Sequence, residues 1–317
     1  MIVVLGAFDG FHRGHALLLD RARALAAERN PDNWGVVTFT PHPDRVILGD
    51  TVKYLFTESE RDTLARFFDI PNVARIPFDR ELAGMSPADF IAVLESLLPV
   101  SGIVVGEDYH FGRGRKGDAD FLRARASSKG WAFEMVRTLE TDAMKISSSR
   151  VKTLIVEGDV IEARNLLGYP FFFTADVVKG DGRGRTLGFP TANVQYPEDK
   201  VVPSEGVYAA SVFLGEKWLP GALNIGFNPT FLSGLESPRF ETYVLDTDRT
   251  FYGETISVFI EERIRPEIRF GSKTELKRRM KADADAAREI FDRARERDAD
   301  VYGRLADALS GFQAPRT

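Results

Sequence analysis

The sequence contains no cysteine. Disulfide staples, thiolate metal clusters and a cysteine nucleophile are thereby excluded together. Histidine is scarce and lopsided: His12, His15, His42 and His110 are all four of them, and none lies beyond residue 110. Whatever chemistry the rest of the chain performs is done without imidazole. No apolar run approaches the ~18 residues needed to cross a bilayer. The opening MIVVLGAFDG has neither a basic n-region nor a small-residue cleavage site, so a soluble cytoplasmic protein is expected. An excess of positive charge is also missing: 42 Lys and Arg stand against 47 Asp and Glu, for a net charge of −5 and a pI near 5.6. Bulk nucleic-acid binding needs a basic surface and is disfavoured. Small anionic ligands, held by a few local donors, are not.

What is present is an ordinary globular mixture over 317 residues, 44% hydrophobic and 28% charged, enough for two domains. The first half alternates strand-like runs (IVVLGAF from Ile2, GVVTFT from Gly35, GIVVGED from Gly102, WAFEMV from Trp131) with helical patterns. That alternation predicts a parallel α/β sheet covered on both faces. A helical stretch around residues 147–168 ends at Gly168-Tyr169-Pro170, a stop signal. Beyond it the period changes to two. FFFTADVVK, GVYAASVFLG, WLPGALNIG, FETYVLD and TISVFIEE, separated by turn residues, predict an antiparallel barrel or sandwich. From Ser272 the pattern turns helical again, with Leu276, Met280, Ala287 and Ile290 as its apolar stripe.

Between the first strand and the first helix stands Gly6-Ala7-Phe8-Asp9-Gly10-Phe11-His12-Arg13-Gly14-His15. In an open α/β sheet, ligands bind outside the carboxyl ends of strands, at the following helix N-terminus. Two imidazoles three positions apart there can face one anion, and Gly10 and Gly14 let the backbone come close to it. No Walker lysine–serine pair and no GxGxxG appears, which argues against P-loop hydrolysis and dinucleotide oxidoreduction. The plainer alternative is two surface histidines in a turn.

This string resembles the opening motif of the nucleotidyltransferase superfamily. TFTPHPDRVIL, FDRELAGMSPADFI, VGEDYHFGRGRKGD and KISSSRV then follow in the order of the adenylyltransferase half of prokaryotic bifunctional riboflavin kinase/FAD synthetases. The resemblance implies a Rossmann-like nucleotidyltransferase domain that transfers AMP from ATP to FMN. Gly6, Phe8, Asp9, Gly10, His12, Gly14 and His15 would bind ATP, with His12 and His15 carrying the catalytic charge stabilisation. Lys145, Ser148, Ser149 and Arg150 would form a second phosphate-binding segment. Asp108, Tyr109 and Phe111 would line the flavin and nucleotide pocket, against the alternative that the two aromatics are core packing. Three positions depart from the family's usual pattern: Lys145 and Lys152 stand where arginine is usual, and Ser149 where threonine is. Lysine keeps the charge and loses the bidentate fork.

In the second half, Lys179-Gly180-Asp181-Gly182-Arg183-Gly184-Arg185 is a glycine-rich, basic loop after a strand, and Thr191 and Asn193 offer two neutral oxygens nearby. Freed backbone N–H groups make an anion nest, and hard Mg²⁺ takes oxygen ligands together with phosphates. GRGRTLGFPTAN resembles the riboflavin kinase signature, followed in the family's order by NIGFNPTF, FETYVLD, FYGETISV and RPEIRF. The resemblance implies a six-stranded Greek-key barrel with a C-terminal helix, phosphorylating the riboflavin 5′-hydroxyl with ATP. Thr191 and Asn193 would hold Mg²⁺-ATP, Gly180 and Arg185 its phosphates, Glu241 would be the catalytic carboxylate, and Arg265 and Phe270 would contact the flavin.

The expected organisation is an FMN adenylyltransferase domain over 1–157, a helical linker over 158–168, a riboflavin kinase domain over 169–292 and a charged helical tail over 293–317. Riboflavin, FMN, FAD and ATP are the expected small-molecule partners, with no nucleic acid and no membrane. Two alternatives stay open: a riboflavin kinase with a weakened adenylyltransferase half, and a flavin-binding regulator without turnover.

Overall fold

Ile2–Leu5 (β1) is four apolar residues without a polar break, all buried, as a strand covered on both faces requires. The computed structural model describes residues 1–27, 30–49, 51–141, 144–179, 189–229, 236–247, 249 and 251–311. β1 lies between Trp34–Thr40 (β2) and Gly102–Gly106 (β4), with Val73–Pro77 (β3) and Ala132–Val136 (β5) outside them. The order β3-β2-β1-β4-β5 is parallel throughout. Its helices start where local chemistry dictates. Ser86 caps Pro87–Leu97 by accepting from the Asp89 amide, and Asp118 caps Ala119–Lys129 through Phe121. Gly130, at φ 69°, closes the latter in the left-handed region. The core under these helices includes Val3, Leu5, Val37, Ile91, Leu94, Ile103, Val105 and Leu122. A short hairpin, Glu140–Thr141 (β6) and Met144–Lys145 (β7), follows.

The second unit is a closed six-stranded antiparallel barrel. It comprises Phe172–Val178 (β8), Thr191–Val194 (β9), Gly206–Leu214 (β10), Lys217–Pro229 (β11), Glu236–Val244 (β12) and Thr255–Arg265 (β13). The strands run β10-β11-β12-β9-β8-β13 around the barrel. The β10–β11 hairpin turns on Gly215 and Glu216, both with positive φ, as a two-residue loop matched to strand twist demands. Helices Lys273–Arg297 and Ala299–Ser310 belong to the same unit.

Three boundaries differ from the sequence expectation. The 158–168 stretch contains a helix, Val160–Leu167, whose Val160, Ala163, Leu166 and Leu167 are buried, and its Arg164 pairs with the buried Glu261 of β13. It groups with the barrel unit. The described part of the tail, 293–311, is anchored too: Tyr302 is fully buried, packs edge-on against Trp218, and its hydroxyl donates to Glu261. Most distant in sequence, residues 54–63 also belong to the barrel unit, which is otherwise 149–317.

The chemistry of that last association is specific. Lys200 is fully buried, and its ammonium donates to Glu60 at 2.5 Å and to the Phe172 carbonyl at 3.0 Å. The Phe56 and Phe171 rings face the same ammonium at 4.7 and 4.9 Å. Glu60 accepts in turn from the Thr57 and Thr174 amides, both at 2.8 Å. A buried pair of this kind is costly to break one-sidedly, because the survivor is an uncompensated charge. Lys200→Met should therefore destabilise the barrel by about 3–5 kcal/mol. Adding Glu60→Gln, which removes the orphaned charge and keeps an acceptor, should recover part of the loss. Denaturant melts of both variants check this; a double variant no more stable than the single one would refute it.

Candidate functional site

The strand order of the α/β sheet reverses between β1 and β4, and a cavity of about 930 Å³ opens at the carboxyl ends of these strands. The segment after β1 supplies Gly6, His12, Gly14 and His15 to its wall. The segment after β4 supplies Asp108, Tyr109 and Phe111, and the end of β7 brings Lys145 with Ser148 just beyond. Expected residues from three separate motifs thus share one cavity.

Backbone geometry prepares the histidines. Phe8 is buried at φ 50°, a conformation disfavoured for a bulky residue. Its ring stacks on Phe11 at 5.3 Å and lies 4.9 Å from His15. The His12 and His15 rings stack on each other at 3.7 Å, 13° from parallel. Gly14 is needed between them: a Cβ there would lie 3.1 Å from His12 Nδ1.

Hydrogen bonds set the tautomers. The His15 amide donates to His12 Nδ1 at 3.2 Å, so a neutral His12 carries its proton on Nε2. His15 Nδ1 lies 2.5 Å from the Gly10 carbonyl and must donate to it, which leaves Nε2 a lone pair when the ring is neutral. Burial pushes His12 down to about 2, reinforced by His15, and pushes His15 down to about 4 against the opposing Gly10 bond and Asp9 charge. Lys145 adds to the lowering of both and is itself ion-paired with Asp108.

Phe8, Asp9 and Gly10 stand behind the cavity wall, Phe8 and Asp9 almost fully buried. Ser148, Ser149 and Arg150 form the first turn of the helix Ser148–Glu157. Arg150 lies 3.7 Å from Glu162, and Lys152 sits 5.6 Å from the Tyr54 ring. Phe111 is both core and wall: it packs on Phe90 at 5.4 Å and stacks with Tyr109 at 5.7 Å. Burial raises the Tyr109 phenol. His42 caps the helix Pro43–Leu48 through the Asp44 amide. Sequence reasoning missed Arg137 and Thr138 on the wall, which belong to no motif.

In the barrel, Glu241 faces Asn193 across the β12–β9 ladder, and Tyr243 faces Thr191. Their neighbours Phe240, Thr242, Ala192 and Val194 are buried, so these four residues lie on the outward, half-buried face. Thr191 Oγ1 donates to Glu241 Oε2 at 3.3 Å, and Arg239 Nε donates to Glu241 Oε1 at 2.7 Å. Gly180 and Arg185 lie outside the described residues. The Arg265 guanidinium is bound to Asp283, bidentate at 2.6 to 3.0 Å, with the Phe270 ring 5.7 Å away. Arg265 therefore ties β13 to the helix Lys273–Arg297. Among the described residues no group of three His, Cys, Asp or Glu side chains forms a metal cage, and no helix is long and apolar enough to cross a membrane.

Comparison with known proteins adds to this geometry. Residues 1–150 match the FAD synthetase family and residues 167–291 the riboflavin kinase family. A bifunctional riboflavin kinase/FMN adenylyltransferase of Escherichia coli (strain K12) is 36% identical over 294 residues, covering 92% of each chain. The protein of the same description from Bacillus subtilis (strain 168) is 34% identical over 93% of this chain and 94% of its own. A crystal structure described as a macrolide-efflux protein from Streptococcus pneumoniae is 32% identical, with a TM-score of 0.83 over 90% of this chain and 93% of that one.

The two depressed histidines make stability depend on pH. Between about 6.5 and 4 the unfolded chain binds protons that the folded chain refuses, so stability falls as pH falls through that window. Thermal melts of the ligand-free protein should show this fall, and a His12→Asn/His15→Gln variant should flatten it. An unchanged slope in the variant would refute the assignment.

Proposed function

The chain belongs to the bifunctional riboflavin kinase/FMN adenylyltransferases, and from that membership we infer how its two halves divide the work. The protein phosphorylates riboflavin to FMN and adenylylates FMN to FAD, with ATP as co-substrate of both steps. We assign FMN adenylyl transfer to the α/β half, 1–157, and riboflavin phosphorylation to the barrel, 169–292. The helix Ala299–Ser310 serves the barrel unit as packing, through Tyr302. The cytoplasm is the proposed location, and small molecules rather than nucleic acid or membrane are the proposed partners.

In the adenylyltransferase, an oxygen of the FMN phosphate attacks the α-phosphorus of ATP and the bond to pyrophosphate breaks. That nucleophile is already an anion, so no general base is needed. Catalysis is positioning plus stabilisation of charge on the triphosphate. The observation that carries this reading is the stacked His12–His15 pair, in one cavity with Lys145. A neutral His12 donates from Nε2 to a phosphate oxygen. His15 presents a lone pair until it takes up a proton, which an arriving triphosphate favours. Ser148, Ser149 and Arg150 receive further phosphate oxygens at a helix N-terminus, while Tyr109 and Phe111 supply apolar wall for a flavin or adenine ring. The cationic lysine at position 145 supports the two-activity reading over a kinase with a weakened partner. The catalytic set of both halves counts against a regulator without turnover.

In the kinase, the riboflavin 5′-hydroxyl is a poor nucleophile, and Glu241 accepts or orients its proton. The oxygens of Thr191 and Asn193 fit Mg²⁺, a hard cation that shares its ligands with nucleotide phosphates and needs no cage of carboxylates. Bound there, Mg²⁺ would neutralise phosphate charge. Gly180 and Arg185 are assigned to the phosphates and Phe270, beside Arg265, to the flavin.

Two variants test the division. His15→Ala should lower FAD formation from FMN by roughly 100-fold or more and leave riboflavin phosphorylation nearly unchanged. Glu241→Gln should lower FMN formation by ~10²–10⁴-fold and leave FAD formation from supplied FMN intact. Chromatography of riboflavin, ATP and Mg²⁺ incubations reads both. Equal loss of both activities in either variant would overturn its assignment.

A further inference from the structure

Arg239 belongs to no motif and precedes Glu241 by two positions on β12. Strand alternation therefore puts the two side chains on one face, which the register shares with Asn193. From that position the guanidinium reaches two acceptors. Its Nε donates to Glu241 Oε1 at 2.7 Å, and its Nη2 lies 3.4 Å from Asn193 Oδ1. The second oxygen of Glu241 is held differently, by the Thr191 hydroxyl at 3.3 Å. One contact is short and charge-assisted; the other is long and neutral on the donor side.

We propose that Arg239 is a positioning residue of the kinase reaction, clamping Glu241 by Oε1 so that Oε2 meets the riboflavin hydroxyl. The proposal rests on the assignment of Glu241 and Thr191 given above. The two grips on the carboxylate differ. Thr191 is also assigned to Mg²⁺ and the nucleotide, so its oxygen serves two partners and its hold on Oε2 is a long one. The Arg239 contact is to the other oxygen, so the carboxylate keeps its short grip whatever becomes of the Thr191 bond. Without the guanidinium, Glu241 would be free to rotate about its own side-chain bonds just when its orientation matters.

Arginine suits the task better than lysine. Its planar fork addresses acceptors on two adjacent strands at once, whereas an ammonium is a point charge on a flexible stem. Stability is not the purpose: the side chains of Arg239 and Glu241 are 30% and 25% exposed, and solvent-accessible pairs contribute little to folding.

The full-length protein provides the test. Arg239→Gln should lower kcat for FMN formation by about 10- to 100-fold, the scale of a misplaced catalytic group. The KM for ATP should change within a few-fold, the melting temperature should hold, and FAD formation from supplied FMN should match the parent. Arg239→Lys, which keeps a donor for Oε1, should restore part of kcat. In a Glu241→Gln background the Arg239→Gln change should cost almost nothing further, because the clamp then has nothing to position. A full additive loss in the double variant would overturn the proposal, as would unimpaired kcat in the single variant. A melting temperature that falls together with both activities would make Arg239 structural. If Glu241→Gln alone leaves FMN formation untouched, the assignment of Glu241 fails first and takes the clamp with it.

Discussion

An ammonium group shut away from water must find a carboxylate, and in this chain Lys200 finds one 140 residues earlier in the sequence. The barrel unit depends on that constraint. Glu60 satisfies the lysine, takes backbone amides from Thr57 and Thr174, and brings Phe56 against Phe171 and Phe172. A stretch that sequence order assigns to the α/β half is thereby tied into the barrel unit. The same logic recurs at Glu261, where Arg164, Ser211 and Tyr302 converge on one buried carboxylate. That convergence draws the helix before the barrel and the helix after it onto the same strand.

The two assigned sites use different parts of their folds, a cavity at the strand ends of the open sheet and a half-buried face of the closed barrel. In the α/β sheet the reversal of strand order at β1 and β4 leaves a crevice at the carboxyl ends of the strands. The histidine pair sits there on a strained Phe8 backbone, with its tautomers set by one amide and one carbonyl. In the barrel, strands β9 and β12 alternate buried residues with half-buried ones. The residues assigned to the kinase reaction, Thr191, Asn193, Arg239 and Glu241, alternate there with buried neighbours.

Much of this was legible in the residues. Period-two and helical patterns separated the sheet from the barrel, and His12, His15, Asp108, Tyr109, Phe111 and Lys145 were named before their shared cavity was visible. Strand alternation alone does not separate a catalytic Glu241 from a plain outward-facing strand carboxylate; the burial of Phe240 and Thr242 puts it on the outward face, and its catalytic role rests on the family match. What escaped was long-range. Lys200 and Glu60 look like solvated charges in a polar stretch, and nothing local announces that they pair. The tail reads as charged because its few anchors, Tyr302 above all, are single apolar residues among many polar ones. Arg239 was passed over because it belongs to no recognisable string, although its spacing from Glu241 already placed both on one face. The helix at 160–167 reads as a linker in the sequence, and its burial in the barrel unit becomes visible only in the structure.

The discontinuous composition of the barrel unit bears on how such a chain can be recombined. A gene cut between the two family matches separates the coding sequence cleanly but not the protein, since residues 54–63 would be left with the wrong half. A chimaera that imports a foreign barrel must import its own counterpart of that segment as well, or supply a barrel whose position 200 is apolar. Exchange of the two catalytic halves among relatives is thus constrained by ten residues that belong to neither active site, and the unit of inheritance is larger than the unit of chemistry.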